Sequence, residues 1–470
     1  MSRRAFLIAG IGYGDEGKGS IVDYLSFKHK PHTIIRFNGG SQAMHHVVKP
    51  DGTVHGFRQI GSGMFANPSV RTYLSKFMLV DPFFIHEEIN ELSVEKNIKY
   101  SFGQVIVDRE CVVITPFHRL VGQMRELVRD DKRIGSCGCG VGEAMFDYNL
   151  VGDGVLLAGD LADKQKTLYK LRRLLISKID IAEQLVDVEY SRRFTKRLLQ
   201  EKLLELYDYR KWLDRLTQKY LDFFKFGFLK FGDEKKLKHI LSKNGTVIFE
   251  GAQGALLDPR YGFAPYVTKT RMSFENANTL LDESGYNGDC TRIGVMRGYS
   301  TRHGPGPFIT EDPRFNRRVS ELHNVMNAWQ GPFRIGWPDI VALKYGIDIV
   351  GGVDYLAVTS MDRIKDFNKI RVCEAYDTDL VSTNHILNKY FELHAGSKIN
   401  RITRIKVLPE GKVGKGELTK LLKRCRPVYK NIYHHDCRYV DYLRHSLGVE
   451  VGIISHGPTR KDKIELIPAC

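Results

Sequence analysis

Gly10-Ile-Gly-Tyr-Gly-Asp-Glu-Gly-Lys-Gly-Ser20 decides how this chain is read. It follows the apolar run Ala5-Phe-Leu-Ile-Ala9. It precedes Ile21-Val-Asp-Tyr-Leu25, whose apolar residues have helical spacing. The order is strand, glycine loop, helix. Such a loop suits a phosphate. Its glycines let backbone N–H groups approach closely, the helix presents its positive end, and Lys18 adds a mobile charge. It is not a Walker A, because G-x-x-x-x-G-K-[ST] is not met. Asp15 and Glu16 would repel phosphate unless one of them carries Mg²⁺ or accepts a proton. A plain turn between strand and helix is the simpler alternative.

Working outward, the alternation continues. Thr33-Ile-Ile-Arg-Phe37 reads as a second strand ending at Gly39-Gly40, and 105–107, 246–249, 293–296, 355–359 and 451–454 are further strand-like runs. Helical stretches lie between several of them. The expected fold is α/β, with a mainly parallel central sheet flanked by helices. Residues 160–245 are rich in Leu, Lys, Arg and Glu at helical spacing. They read as a basic helical insertion within one domain spanning 1–470.

Composition narrows the class. With 42% hydrophobic and 11% aromatic residues, the chain can bury a sizeable core and is not disordered overall. Eight cysteines in 470 residues are too sparse for a secreted disulfide scaffold. The apolar run after Arg3-Arg4 is too short for a signal peptide, and no stretch approaches the roughly 20 apolar residues of a spanning helix. The expectation is a cytoplasmic protein with reduced thiols and no membrane partner. The formal charge is +16, which suggests anionic partners. That excess is localised. Residues 191–245 carry 15 basic against 7 acidic side chains, and 398–430 carry 11 against 2. No nucleic-acid recognition module is visible, so nucleic acid is not the expected partner.

Six ordered segments carry a family resemblance. Gly12-x-Gly14-Asp15-Glu16-Gly17-Lys18-Gly19-x-Ile21-Val22-Asp23 resembles the N-terminal signature of adenylosuccinate synthetases. Arg36-Phe-Asn-Gly-Gly-Ser-Gln-Ala-Met-His45 is similar to the segment supplying that family's catalytic histidine. Phe249-Glu-Gly-Ala-Gln-Gly-Ala-Leu-Leu-Asp258 with Pro265-Tyr-Val-Thr268, Gly298-Tyr-Ser-Thr-Arg-His-Gly-Pro-Gly-Pro-Phe308 with Thr310-Glu311, Gly336-Trp337-x-Asp339-x-Val341-Ala342-Leu343, and Ser455-His-Gly-Pro-x-Arg460 complete the set. The resemblance runs from about residue 6 to 465 and is weak between roughly 160 and 245.

The resemblance implies a GTP- and Mg²⁺-dependent ligase. Such enzymes phosphorylate the 6-oxygen of IMP and replace it with the amine of L-aspartate. Asp15 then matches the base and a metal ligand, His45 the acid, and the Met44 carbonyl a second metal ligand. A carboxylate and an imidazole at opposite ends of an amide-like unit suit paired base and acid catalysis. Gln253 joins the catalytic set. Gly14, Glu16, Gly17, Lys18 and Gly19 would hold the GTP phosphates. Ser360, Met361, Asp362, Ser455, His456 and Gly457 would surround the guanine. Gln42, Ala43, Cys137, Gln253 and Thr268 would hold the purine nucleoside monophosphate. A homodimer is implied as well.

The match breaks in the amino-acid half. Gln330-Gly-Pro-Phe-Arg-Ile-Gly-Trp337 stands where the family has Gly-Arg-x-Arg-Arg-x-Gly-Trp, so only Arg334 survives. The arginine expected in the 136–142 turn is Cys139, and the one lent to a partner subunit falls near Val151. Ser360 replaces the lysine that packs on guanine, and Gln42, Cys137 and His46 replace an asparagine and two threonines. Losing one partner of a buried charged contact costs about 2–5 kcal/mol. Arg302 and Arg334 are left as the amine-donor site, for L-aspartate or a different amine. Two alternatives follow. One is a nucleotide-binding regulator without ligase chemistry. The other is a 2-aminoadenylosuccinate synthetase using a guanine (deoxy)nucleotide, a branch that commonly lacks the aspartate present here as Asp15.

Overall fold

Residue alternation along Arg3–Gly10 shows how the core is divided. Ala5, Leu7 and Ala9 face one buried apolar cluster, while Phe6 and Ile8 face another. A strand buried on both faces needs a continuous apolar run rather than alternation, which is why this strand was legible. It lies in a ten-stranded sheet. The spatial order is Lys463–Glu465, Glu450–Ser455, Tyr355–Thr359, Asp289–Arg297, Arg3–Gly10, Gly245–Glu250, Thr33–Arg36, Arg71–Leu74, Val105–Asp108 and Leu229–Gly232. Every neighbouring pair is parallel except the edge pair made by Lys463–Glu465. This computed structural model describes all residues except 1, 99, 131–132, 189–192, 316–318, 320–328, 381–383, 395–399, 410–413, 415, 434–435 and 469–470.

All seven expected strands lie in this sheet. Three of its strands gave no sequence signal: Arg71–Leu74, Leu229–Gly232 and Lys463–Glu465, each four residues or fewer. The stretch 160–245 is helical in its first part, with Lys164–Asp187 and Arg193–Lys225 packed on each other and on Pro116–Arg129. Its last part is different. Leu229–Gly232 forms the sheet's edge beside Val105–Asp108. The segment is therefore stitched into the central sheet. Fully buried Lys178 also ties it to the helix Val141–Val151, 2.7 Å from Asp147 and 3.3 Å from Glu143.

A second sheet is antiparallel, in the order Phe391–Leu393, Asn400–Ile405, Lys369–Thr378 and Cys425–Tyr433. It packs against the helix Ile340–Val350 and holds much of the basic stretch 398–430. Acids from outside that stretch answer it. Arg401 pairs with Asp377, Arg404 with Asp348, Arg424 with Asp379 and Lys430 with Glu374.

The parallel strands place the motifs. Ile11–Gly19, Phe37–His45, Gly251–Gln253, Gly298–His303, Ser360–Asp362 and His456–Gly457 all follow the carboxyl ends of neighbouring strands, where open α/β sheets bind ligands.

Candidate active site

Gly14, Asp15 and Gly17 take left-handed backbone conformations, with φ of 91°, 59° and 88°. These turns send Glu16 inward and Asp15 outward. Glu16 Oε1 accepts the N–H of Gly12 at 3.1 Å and of Gly14 at 2.8 Å, while Oε2 lies 2.5 Å from Lys18 Nζ. A Cβ on Gly10 or Gly254 would lie 2.3 or 2.5 Å from this carboxylate, so glycine is required at both positions. Thr359 Oγ1 donates to the Glu16 carbonyl at 2.6 Å. Lys18 was expected as a mobile charge. It is instead buried, fixed by the acid that the loop itself supplies.

The Asp15 side chain is 34% exposed, 3.7 Å from His303 Nδ1. Arg297 Nε donates to its carbonyl at 2.6 Å. Burial would raise the Asp15 carboxyl, but His303, Arg297 and Lys18 outweigh it and hold it below the usual carboxylate range. Asp15 is thus an anionic acceptor at neutral pH. It can take a proton or bind a cation.

His45 opens the strand His45–Val48 and lies against the first turn of the phosphate-loop helix. A Cβ on Gly19 would lie 2.7 Å from His45 Cβ. Its Nδ1 is 2.6 Å from Glu250 Oε1, at the end of the strand Gly245–Glu250. Ser62 donates to Glu250 through its N–H at 3.0 Å and through its hydroxyl. Burial lowers His45, whereas for Glu250 the charge of Arg36 and these hydrogen bonds overcome burial and hold the carboxyl at about 2. An ionised carboxylate only accepts, so His45 Nδ1 donates and Nε2 is left for a ligand. This is the arrangement of a histidine oriented and electrostatically backed by an acid. Glu250, Arg36 and Ser62 were missed by motif reading. Glu250 and Arg36 lie inside quoted segments, yet their pairing joins elements far apart in sequence.

Several segments that carry the residues expected around the monophosphate approach one another. A Cβ on Gly40 would lie 2.9 Å from both Gln42 Oε1 and Val141, and Gly142 approaches Lys269 beside Thr268. Gln253 adopts φ 53° next to Gly39. Gln42 Oε1, Gln253 Oε1 and Ser41 Oγ are buried without a protein partner, as groups awaiting a polar ligand would be. Ala43 is buried. The Cys137 thiol is lowered by a hydrogen bond from Cys139, against burial. Arg58 and Arg119 act electrostatically on Cys139, and both guanidiniums stack on Phe84, at 5.2 and 4.6 Å. Sequence reading found no arginine for this turn. These two arrive from outside it.

At the other end, Ser360 (φ 58°) and Asp362 follow Tyr355–Thr359 beside the strand that leads to His456 and Gly457. Met361 is fully buried in the core, so its side chain faces away from any base and its backbone is what the loop can offer. Ser455 is buried and its hydroxyl donates to the Gly457 carbonyl at 2.9 Å. Asp362 lies 3.3 Å from Arg363. Lys463, also missed, donates to the Gly457 and Thr459 carbonyls at 3.0 and 2.8 Å. Burial lowers it to about 8, against the pull of Asp462, Asp23 and Asp362.

The expected amine-donor arginines share a two-stranded ribbon, Ser300–His303 against Phe333–Gly336, which faces Asp15 through His303. Arg302 is 1% exposed. It donates to the carbonyls of Pro305 and Pro307, both at 3.1 Å, and of Tyr266 at 3.3 Å, and it stacks on Tyr13. Arg334 holds Glu311 through two nitrogens and the carbonyls of Gly304 and Gly306 through the third. Arg334 is closed by a carboxylate, whereas Arg302 donates to neutral carbonyls.

Among the described residues no cluster of three or more His, Cys, Asp or Glu side chains could hold a metal. A dication at Asp15 would therefore draw on carbonyl and phosphate oxygens. That suits Mg²⁺.

Fold and site together define an α/β enzyme that sets a glycine-rich phosphate loop and its carboxylate against an acid-backed histidine. Residues 7–464 match the family model for adenylosuccinate synthetase, and the chain belongs to that family of GTP-dependent ligases of purine biosynthesis. It is 30% identical to an adenylosuccinate synthetase of Thermoplasma volcanium, covering 99% of this chain and 98% of the relative. It is 31% identical to one of Aquifex aeolicus, covering 98% and 96%. Fully ligated adenylosuccinate synthetase from Plasmodium falciparum superposes with a TM-score of 0.70 at 19% identity, covering 98% of this chain and 99% of that one. Cyanophage S-2L succinoaminodeoxyadenylate synthetase (PurZ), bound to dGMP and dATP, superposes with a TM-score of 0.56 at 16% identity, covering 99% and 96%.

Proposed function

We propose that the protein transfers the γ-phosphoryl group of GTP to the 6-oxygen of a purine nucleoside monophosphate, IMP or a relative, and then replaces it with an amine. The observation that carries this reading is the pairing of ionised Asp15 with the Glu250-backed His45 across one phosphate loop. Asp15 would take the N1 proton as O6 becomes nucleophilic, and His45 Nε2 would face O6. Burial opposes the imidazolium that would donate there, and the Glu250 charge counters that burial. Mg²⁺, held by Asp15 and the Met44 carbonyl, would supply charge neutralisation on the phosphates. Positioning and electrostatics do most of the work in phosphoryl transfer. Gln42, Gln253 and Thr268 line the monophosphate site, and Arg58 and Arg119 supply its positive charge. Asp362 accepts from guanine, which favours GTP as donor.

The protein would act as a cytoplasmic homodimer. Phe146, Leu150 and Val151 on one helix and Tyr169 and Ile176 on the next are all more than half exposed, on two helices that Lys178 clamps together. Apolar surface of this kind marks an interface. No described helix is long and apolar enough to cross a membrane.

The test is incubation with GTP, Mg²⁺, IMP and a panel of amines, read by mass spectrometry. A new purine adduct is expected, lost in Asp15→Ala and His45→Ala. Tight nucleotide binding without product would favour a regulator, a reading that the occupied arginines support.

A further inference from the structure

We propose that Cys137 and Cys139 are a thiol–disulfide modification site, and that the bond between them closes the turn expected to take the purine monophosphate. The effect on catalysis rests on the ligase reading above, whereas the chemistry of the two thiols does not. Cys137-Gly-Cys139 immediately precedes Gly140, which caps the helix Val141–Val151. Gly138 is left-handed, with φ of 73°, so the chain bends between the two cysteines. A spacing of two residues around such a bend can bring the Cα atoms within the roughly 4.4–6.8 Å that a disulfide spans.

The two thiols already face each other. The Cys139 thiol donates to the Cys137 sulfur, and its Sγ lies 3.8 Å from the Cys137 carbonyl. That hydrogen bond holds the Cys137 thiol below its ordinary value against burial and raises Cys139. Burial pushes up the thiols of Cys111 and Cys373, and desolvation raises even exposed Cys290. Cys137 is therefore the attacking thiolate and Cys139 the resolving thiol, and both are part-exposed. With a low-molecular-weight disulfide R–S–S–R, the Cys137 thiolate attacks one sulfur. R–S⁻ leaves and takes up the proton that Cys137 has lost. Cys139 then gives up its proton, its sulfur attacks Cys137 Sγ, and the second R–S⁻ leaves and is protonated. Two thiols are oxidised to one disulfide, and R–S–S–R is reduced to two R–SH.

The turn is pinned at its centre. Gln123 Nε2 donates to the Gly138 carbonyl at 3.2 Å, and a Cβ on Gly138 would lie 3.1 Å from the Trp329 ring. Lys202, from the long helix Arg193–Lys225, in turn donates to Gln123 Oε1. Drawing the two sulfurs to a bonding distance of about 2.05 Å must therefore move the ends of the turn rather than its middle. One end is Cys137 itself. The other is Gly140, where a Cβ would lie 2.9 Å from the backbone nitrogen of Arg119. The disulfide thus removes the Cys137 thiol and shifts the loop against Arg119. A ring this small is strained, which keeps the bond easily reduced and the change reversible.

The test incubates the full-length enzyme with oxidised glutathione and maps its thiols by digestion and mass spectrometry. IMP-dependent GDP release is measured before and after. A Cys137–Cys139 bond is expected, formed more slowly when IMP is present and reversed by dithiothreitol. Oxidation should raise KM for IMP by roughly tenfold or more and leave KM for GTP within about twofold. Cys139→Ser should stop at a glutathione mixed disulfide on Cys137, and Cys137→Ser should leave Cys139 a free thiol. Mixed disulfide confined to Cys290, with Cys137 and Cys139 still thiols, overturns the site. A mapped bond that leaves KM for IMP unchanged overturns its effect alone. GDP release that ignores IMP before any oxidation overturns the ligase reading and the effect with it, while the thiol map is read without turnover.

Discussion

His45 illustrates how much of the chemistry resides in a residue's partner. An imidazole alone is more often a packed core group than an acid. Here Glu250, held at about 2 by Arg36, His45 and Ser62, decides its tautomer and its direction. That carboxyl is depressed below its ordinary 4.5, so its stabilisation is fully present above pH 4.5 and is lost as pH falls toward 2. The linkage is on the order of 3 kcal/mol. Urea unfolding of wild type and Glu250→Gln across pH 7 to 3 should show a gap that narrows only below about pH 4.5. Arg58 and Arg119 make a kinetic prediction. With the phosphate contact proposed above, removing either guanidinium should cost about 1.5–3 kcal/mol, raising KM for the purine monophosphate roughly 10- to 100-fold while KM for GTP stays near wild type. Steady-state kinetics of Arg58→Ala and Arg119→Ala check it.

At the scale of elements, legibility followed burial. Strands covered on both faces, such as Gly245–Glu250 and Tyr355–Thr359, are apolar runs and were readable as such. Arg71-Thr-Tyr-Leu74 and Leu229-Lys-Phe-Gly232 are too short and mixed to announce themselves, and only sheet pairing reveals them. The antiparallel strand Lys369–Thr378 was missed because it alternates charged and buried residues with a register shift between Cys373 and Ala375. Motif spacing located the glycine loop and the segment that carries His45. It could not show that Lys18, Arg302 and Arg334 are already occupied, because occupancy depends on contacts made in three dimensions. The clamp between helices at Lys178 was equally invisible. Its loss leaves Glu143 to Arg125 and Asp147 to His118, so Lys178→Ala should cost about 1.5–3 kcal/mol and Lys178→Met distinctly less if apolar packing compensates. Thermal unfolding measures both.

For the whole molecule, the +16 charge does not report the nucleotide site. Part of the 398–430 excess is matched by Asp348, Glu374, Asp377 and Asp379 from neighbouring elements. The clearest candidate contact surface is apolar instead, around Phe146, Leu150 and Ile176. Sedimentation should find a dimer, and Leu150→Asp should shift it to monomer without unfolding it.

The fate of one oxygen atom decides whether the 6-oxygen is phosphorylated. IMP labelled with ¹⁸O at the 6-position, incubated with GTP, Mg²⁺ and an accepted amine, should deliver its label to inorganic phosphate. It should do so in step with GDP release, and not in Asp15→Ala. Phosphate released without the label would mean that GTP is cleaved by water, and would contradict the account.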